Sequence, residues 1–211
     1  MRRPGTGGFT LLEVTVSFAL LLLATAMMMA LFVPSMSLFR RQTGKSDVYR
    51  GCLMLMEKFQ VGTLNSQLET MTISSNNQAM CWQLTNETIP FSSATGEPLL
   101  TPDFAIIYYE PNDKRVYYKE YRASGLPSGN QPGFLSRPEL DLACSSNSSA
   151  TRVLAREVVE FELSDKDGDT SIIEPPLTLR VTCEVNTKGT ETNDVETFTL
   201  ESKATPRSRR W

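Results

Sequence analysis

From Phe9 to Val33 the chain runs through about 25 apolar or small residues in which Glu13 is the only ionisable side chain. At roughly 1.5 Å rise per residue, a helix of that length reaches about 37 Å, enough to cross a hydrocarbon core of about 30 Å with some tilt. A rod that is apolar on every side has to be covered by lipid or by other helices. The carboxylate is the odd feature, because one acid deep in such a helix costs a few kcal/mol and needs a partner.

The leader before this stretch is Arg2, Arg3, Pro4, Gly5, Thr6, Gly7 and Gly8. The segment Gly8-Phe9-Thr10-Leu11-Leu12-Glu13-Val14 resembles the cleavage motif of type IV prepilins and type II secretion pseudopilins, and the resemblance covers about the first 35 residues. It implies that a membrane prepilin peptidase cuts between Gly8 and Phe9 at the cytoplasmic face and methylates the new amino terminus on Phe9. It also implies that Glu13 pairs with the free amine of a neighbouring subunit's first residue during assembly. An ammonium and a carboxylate in a low-dielectric bundle satisfy each other, where either alone is penalised. Glu13 is one helical turn from Phe9, so pairing within the chain is the alternative, and an acid facing a polar cavity is the plainer one.

The same stretch has a rival reading. Arg2 and Arg3, the apolar run Phe18 to Leu23 and Ala24-Thr25-Ala26 spell a secretory signal with a small-x-small cleavage site, which would leave Met27 as the first residue. Glu13 at the start of the apolar region argues against it. So does the run Met27 to Val33, which such a cut would leave exposed.

Beyond the arm, roughly 150–170 residues remain, one ordinary domain with a sizeable core. The net charge is -3, which does not suggest nucleic acid as a partner. There is no histidine, so the commonest general base and the commonest metal ligand are missing, and neither an enzyme nor a cofactor site is expected. Cys52, Cys81, Cys144 and Cys183 are widely spaced without a C-x-x-C pair, which argues against zinc. In an exported domain four cysteines allow three complete pairings, between which the sequence does not choose. With Cys52 on a helix as a buried thiol, a single bridge among Cys81, Cys144 and Cys183 is the other arrangement.

Helical spacing continues past the apolar segment. Pro34 is expected to kink the helix, and Val48, Cys52, Leu55 and Phe59 recur at i, i+4, i+7 and i+11. Gly44 and Gly51 weaken this half, and Gly62 is the expected stop. The methionines at 27–29, 54 and 56 read as packing residues. Strands are predicted at 78–84, 104–110, 115–121, 158–163, 177–185 and 195–202, with Pro111-Asn112-Asp113-Lys114 as the turn of the clearest hairpin. Residues 124–138 read as a long surface loop, 145–149 continue it, and 206–211 form a basic, frayed tail.

The order of elements predicts an α+β fold: a long amino-terminal helix followed by antiparallel strands. The expected organisation is a leader at 1–8, a transmembrane and assembly helix at 9–34, an exported helical half at 35–62, a β-rich periplasmic domain at 63–205 and the tail. The pilin resemblance implies a sheet packed on the exported half of the helix. Asp165, Asp167 and Asp169 imitate the start of a calcium loop. However, Gly168 falls at the fourth position and Glu174 at the tenth, where an EF-hand needs the sixth and twelfth, so an acidic turn is expected instead.

A second, diffuse resemblance covers about 50 residues. The run Leu154 to Leu163, then Asp167-Gly168, then Pro176 to Val181 is similar to minor pseudopilins of the general secretion pathway protein J type, and nearly as similar to pilus-assembly protein W. It implies a structural subunit in the tip complex that starts a type II secretion pseudopilus. Its implied partners are prepilin peptidase, the other pseudopilins, the inner-membrane assembly platform and membrane lipid. The implied placement is a single pass through a bacterial inner membrane, with the amino terminus cytoplasmic and the body periplasmic. A minor pilin of a surface pilus, serving adhesion, motility or DNA uptake, is the alternative. A membrane-anchored binding module is more remote; its candidate platform is the cluster Tyr108, Tyr109, Tyr117, Tyr118 and Tyr121.

Overall fold

The computed structural model describes residues 10–86, 93, 99–123, 132–146, 151–168, 172–186 and 195–206. The fold is α+β, a long amino-terminal apolar helix and two antiparallel sheets. Helix α1 is Leu11–Asn65, followed by a short 3-10 turn at Leu68–Thr70. Strands β1 (Thr72–Ile73), β2 (Ala79–Thr85), β3 (Leu100–Glu110) and β4 (Arg115–Arg122) come next. Then come helix α2 (Arg137–Ser145) and strands β5 (Arg152–Arg156), β6 (Val158–Ser164), β7 (Leu177–Asn186) and β8 (Val195–Ala204). The chain divides into two compact units, 1–44 and 45–211.

In the first unit the helix runs through Pro34. Proline has no N–H to give the carbonyl four residues back, and its neighbours' hydroxyls turn to other carbonyls of the same helix. The Ser35 hydroxyl donates to the Leu31 carbonyl at 2.8 Å, and the Ser37 hydroxyl to the Pro34 carbonyl at 2.7 Å.

The second unit is layered. One sheet has the order β1-β2-β3-β4-β5, the other β6-β7-β8, all neighbours antiparallel. The chain passes from one sheet to the other at Glu157, whose φ is 56°, between β5 and β6. The Val158 N–H donates to the Lys114 carbonyl, and the Glu184 N–H to the Glu157 carbonyl, tying the sheets at that step.

Alternation along the strands decides which side chain meets which helix. Met80, Trp82, Ala105, Ile107 and Val116 of the first sheet share a core with Phe161, Leu163, Leu177, Leu179, Val181 and Cys183 of the second. Cys52, Leu55, Met56 and Phe59 of α1 complete it. The other face of the first sheet, with Ala79, Cys81, Phe104 and Ile106, is covered by Leu140 and Ala143 of α2. Because both faces of β2 and β3 are covered, both side-chain sets are buried there, and the strands read as β-rich runs more than as polar-out alternation.

The predicted hairpin is present: β3 and β4 pair from Asp103↔Arg122 to Glu110↔Arg115, and Lys114 at the turn has φ 52°. Three expectations are corrected. Gly62 does not stop α1, which continues to Asn65. A Cβ at Gly62 would lie 2.3 Å from a ring carbon of Trp82, so the glycine is there to let helix and ring touch. Gly51 plays the same part against β5, where a Cβ would lie 3.0 Å from the Leu154 carbonyl oxygen. Residues 137 and 138, placed in the predicted long loop, begin α2. The signal was Ser136-Arg137-Pro138-Glu139, an N-cap followed by proline in the first turn and glutamate three residues after the cap. The Ser136 N–H and hydroxyl both donate to the Glu139 carboxylate, at 2.9 and 2.6 Å.

The third correction concerns the cysteines. The bridge joins Cys52 of α1 to Cys183 of β7, while Cys81 and Cys144 remain thiols. Cys52 lies on the buried stripe of the helix, and that stripe faces the second sheet as well as the first, which brings it onto Cys183.

Candidate functional site

Every large apolar side chain from Leu11 to Phe39 is exposed, from Leu11 at 86 % to Met36 at 41 %. The helix is long and apolar enough to span a membrane. Glu13 is the only ionisable residue from Leu11 to Phe39.

The local geometry gives Glu13 a second identity. The Thr10 N–H donates to Glu13 Oε2 at 3.0 Å and the Thr10 hydroxyl donates to the same oxygen at 3.1 Å. In return the Glu13 N–H donates to the Thr10 hydroxyl at 3.3 Å. This reciprocal pattern is a capping box: two of the four amide donors that a helix start leaves without carbonyl partners are satisfied by side chains. Sequence reasoning missed it, although Thr10-Leu11-Leu12-Glu13 spells the S/T-x-x-E pattern. The carboxylate therefore has a partner inside its own chain, and one of its oxygens, Oε2, takes both bonds. Gly8 and Phe9, where the cleavage resemblance falls, lie outside the described residues.

Two of the three acidic-turn carboxylates, Asp165 and Asp167, fall among the described residues. Asp165 is buried, and its Oδ2 accepts the Glu174 N–H at 3.1 Å. The Lys166 N–H donates to the Glu174 carbonyl, so the loop closes on itself. Asp167 is exposed, and Asp169 lies outside the described residues. Among the described residues no group of three acidic or cysteine side chains converges to hold a metal.

The tyrosines do not form one platform. Tyr108 and Tyr121 pack on the side of the sheet under α2, and Tyr109 and Tyr118 on the side under α1. Tyr108 stacks on Tyr117 at 5.3 Å, and Tyr109 on Phe161 at 5.7 Å. The basic tail from Arg207 onward lies outside the described residues, while Pro206 before it is buried.

A buried lysine went unnoticed in the sequence. Lys119 of β4 is fully buried and has its ammonium on the carboxyl end of α2. It donates to the carbonyls of Ala143, Cys144 and Ser146, the last two at 3.2 and 3.0 Å, and lies 5.1 Å from the Tyr108 ring centre. A cation there meets the negative end of the helix dipole and carbonyls that the helix leaves unpaired. Burial pushes the lysine's pKa down, because the charged form loses water.

No protein-family model, curated protein or solved structure matches this chain.

Proposed function

We propose that this chain is a structural subunit of a membrane-stored filament. More specifically, it is a minor pseudopilin of a type II secretion pseudopilus, cut between Gly8 and Phe9 by prepilin peptidase and methylated on Phe9. In this reading the body faces the periplasm, and the subunit joins the tip complex on an inner-membrane assembly platform.

One observation carries the reading. The amino-terminal helix presents apolar residues on all sides, all of them exposed among the described residues, and it holds one carboxylate near its start. Such a helix is soluble in lipid and equally soluble in a bundle of its own kind. Moving it from membrane to filament exchanges lipid contact for helix contact at little apolar cost. The carboxylate then decides register, since an amine from a neighbour is a better partner in that bundle than a cap alone.

The first test is the amino terminus of the protein recovered from membranes, read by mass spectrometry. Methylated Phe9 is the expected first residue; a chain starting at Met27, or an uncut Met1, overturns the proposal. The second separates the two roles of Glu13. Glu13→Gln keeps a capping acceptor and removes the charge, whereas Glu13→Ala removes both. Both variants are expected to be cleaved normally and to fail to enter filaments. Assembly of Glu13→Gln at the wild-type level would reduce Glu13 to a helix cap.

A further inference from the structure

We infer that oxidation of this chain closes a second bridge, between Cys81 of β2 and Cys144 in the last turn of α2, fastening that helix to the five-stranded sheet. Only the source of the oxidant rests on the exported location proposed above; the pairing rests on packing.

The strand register sets Cys81, Ile106 and Lys119 opposite one another across β2, β3 and β4. Cys81 and Ile106 both lie in the cluster under α2, which makes this a row on that face. Lys119 reaches up from the same row to the carbonyls of Ala143, Cys144 and Ser146, so the end of α2 is held directly over it. Ala143 is buried in the cluster with Cys81, and Cys144 packs against that cluster from the rim. Because Cys52 and Cys183 are already joined, these two are the remaining thiols.

Burial sets the resting state of the two sulfurs. Burial pushes Cys81 up to about 12 and Cys144 up to about 11, and the charge of Cys144 adds to the rise at Cys81. Both sulfurs therefore rest as thiols, and exchange runs through their small deprotonated fraction. Among the described residues no third cysteine or carboxylate joins them as a metal group.

The chemistry balances with a disulfide oxidant such as oxidised glutathione. Cys144 is half-buried and borders a cleft of about 340 Å³ with Gln78, Tyr108 and Asp141, so it meets the oxidant first. Its thiolate attacks one sulfur of the oxidant, whose S–S bond breaks and releases one thiol, leaving a mixed disulfide on Cys144. The Cys81 thiolate then attacks the Cys144 sulfur and expels the second thiol. Two protons leave the cysteines and are taken up by the two departing thiolates, and two electrons pass from the chain to the oxidant.

The test uses the full chain in detergent, equilibrated with a glutathione redox buffer, then denatured, alkylated and mapped by peptide mass spectrometry. The expected result is no alkylated cysteine and two cross-linked peptides, Cys52 with Cys183 and Cys81 with Cys144. Cys81→Ser is expected to stall as a glutathione adduct on Cys144, and Cys144→Ser to leave Cys81 as a thiol. Alkylation of both Cys81 and Cys144 beside a closed Cys52–Cys183 bridge overturns the inference, as does either one bonded to Cys52 or Cys183. Protein alkylated rapidly in the producing cells supplies the separate check on location. Four thiols there, with both bridges forming in the redox buffer, count against export and leave the pairing standing.

Discussion

The two stretches of α1 differ in what touches them. From Leu11 to Phe39 the helix carries leucine, methionine and phenylalanine on every side, and all of them are exposed. From Lys45 to Asn65 it carries fewer apolar residues, yet Cys52, Leu55 and Phe59 are fully buried against two sheets. Hydrophobicity by itself does not seat a helix within a domain. A rod apolar all round has no face with which to choose one neighbour, whereas a stripe with polar flanks does. Two phenylalanines make the contrast measurable. Phe59→Ala is expected to cost the folded domain about 3–5 kcal/mol, and Phe18→Ala less than about 0.5 kcal/mol. Denaturant unfolding of the full chain in detergent, followed by fluorescence of the buried Trp82, reads both. Equal losses would erase the distinction between the halves.

Glycines sharpen the same contrast with opposite signs. Gly62 sits where a Cβ would strike the Trp82 ring, so Gly62→Ala has to displace a large buried side chain and is expected to cost about 1–3 kcal/mol. Gly44 has nothing within 4 Å of its Cβ position. Gly44→Ala therefore gains only the helix propensity of alanine, a stabilisation of about 0.5–1 kcal/mol at most. Thermal melting by circular dichroism would register the gain, and Trp82 fluorescence the loss. Destabilisation by Gly44→Ala would mean that the helix needs freedom at that point.

How much of this was legible follows from range. The hairpin at Pro111–Lys114 and the six expected strands were readable because turn formers and β-rich runs are local signals. Gly62 was misread because its reason is a tryptophan twenty residues away in sequence, and a glycine near the end of a helical pattern looks like a stop. Cys52 was misread for a similar cause: the helical stripe shows that it is buried, and nothing local shows that the second sheet supplies Cys183 as its neighbour. Helix α2 was hidden by the Gly, Pro and Ser around it, although its capping box was spelled out in the sequence. At the candidate site, the apolar run and its lone acid were legible at once, and the Thr10 half of the cap was passed over.

The smallest expected effect compares the two capping boxes. At α2 the Ser136 hydroxyl and N–H hold the Glu139 carboxyl below its usual range. A carboxyl with a depressed folded pKa adds stability above its unfolded value of 4.5 and loses it as pH falls through the lower folded value. Glu139→Gln keeps an acceptor for Ser136 but does not titrate. The difference in stability between wild type and this variant is therefore expected to shrink on acidification below about pH 4.5 and to stay flat above about pH 6. Glu139 is exposed, so solvent screens most of the effect and only a slight change in denaturation midpoint is expected. A difference independent of pH would show that charge adds nothing to a capping box in water. An assembly defect of Glu13→Gln would then point to what the charge meets in the low-dielectric bundle, a setting that the water-exposed cap of α2 does not reproduce.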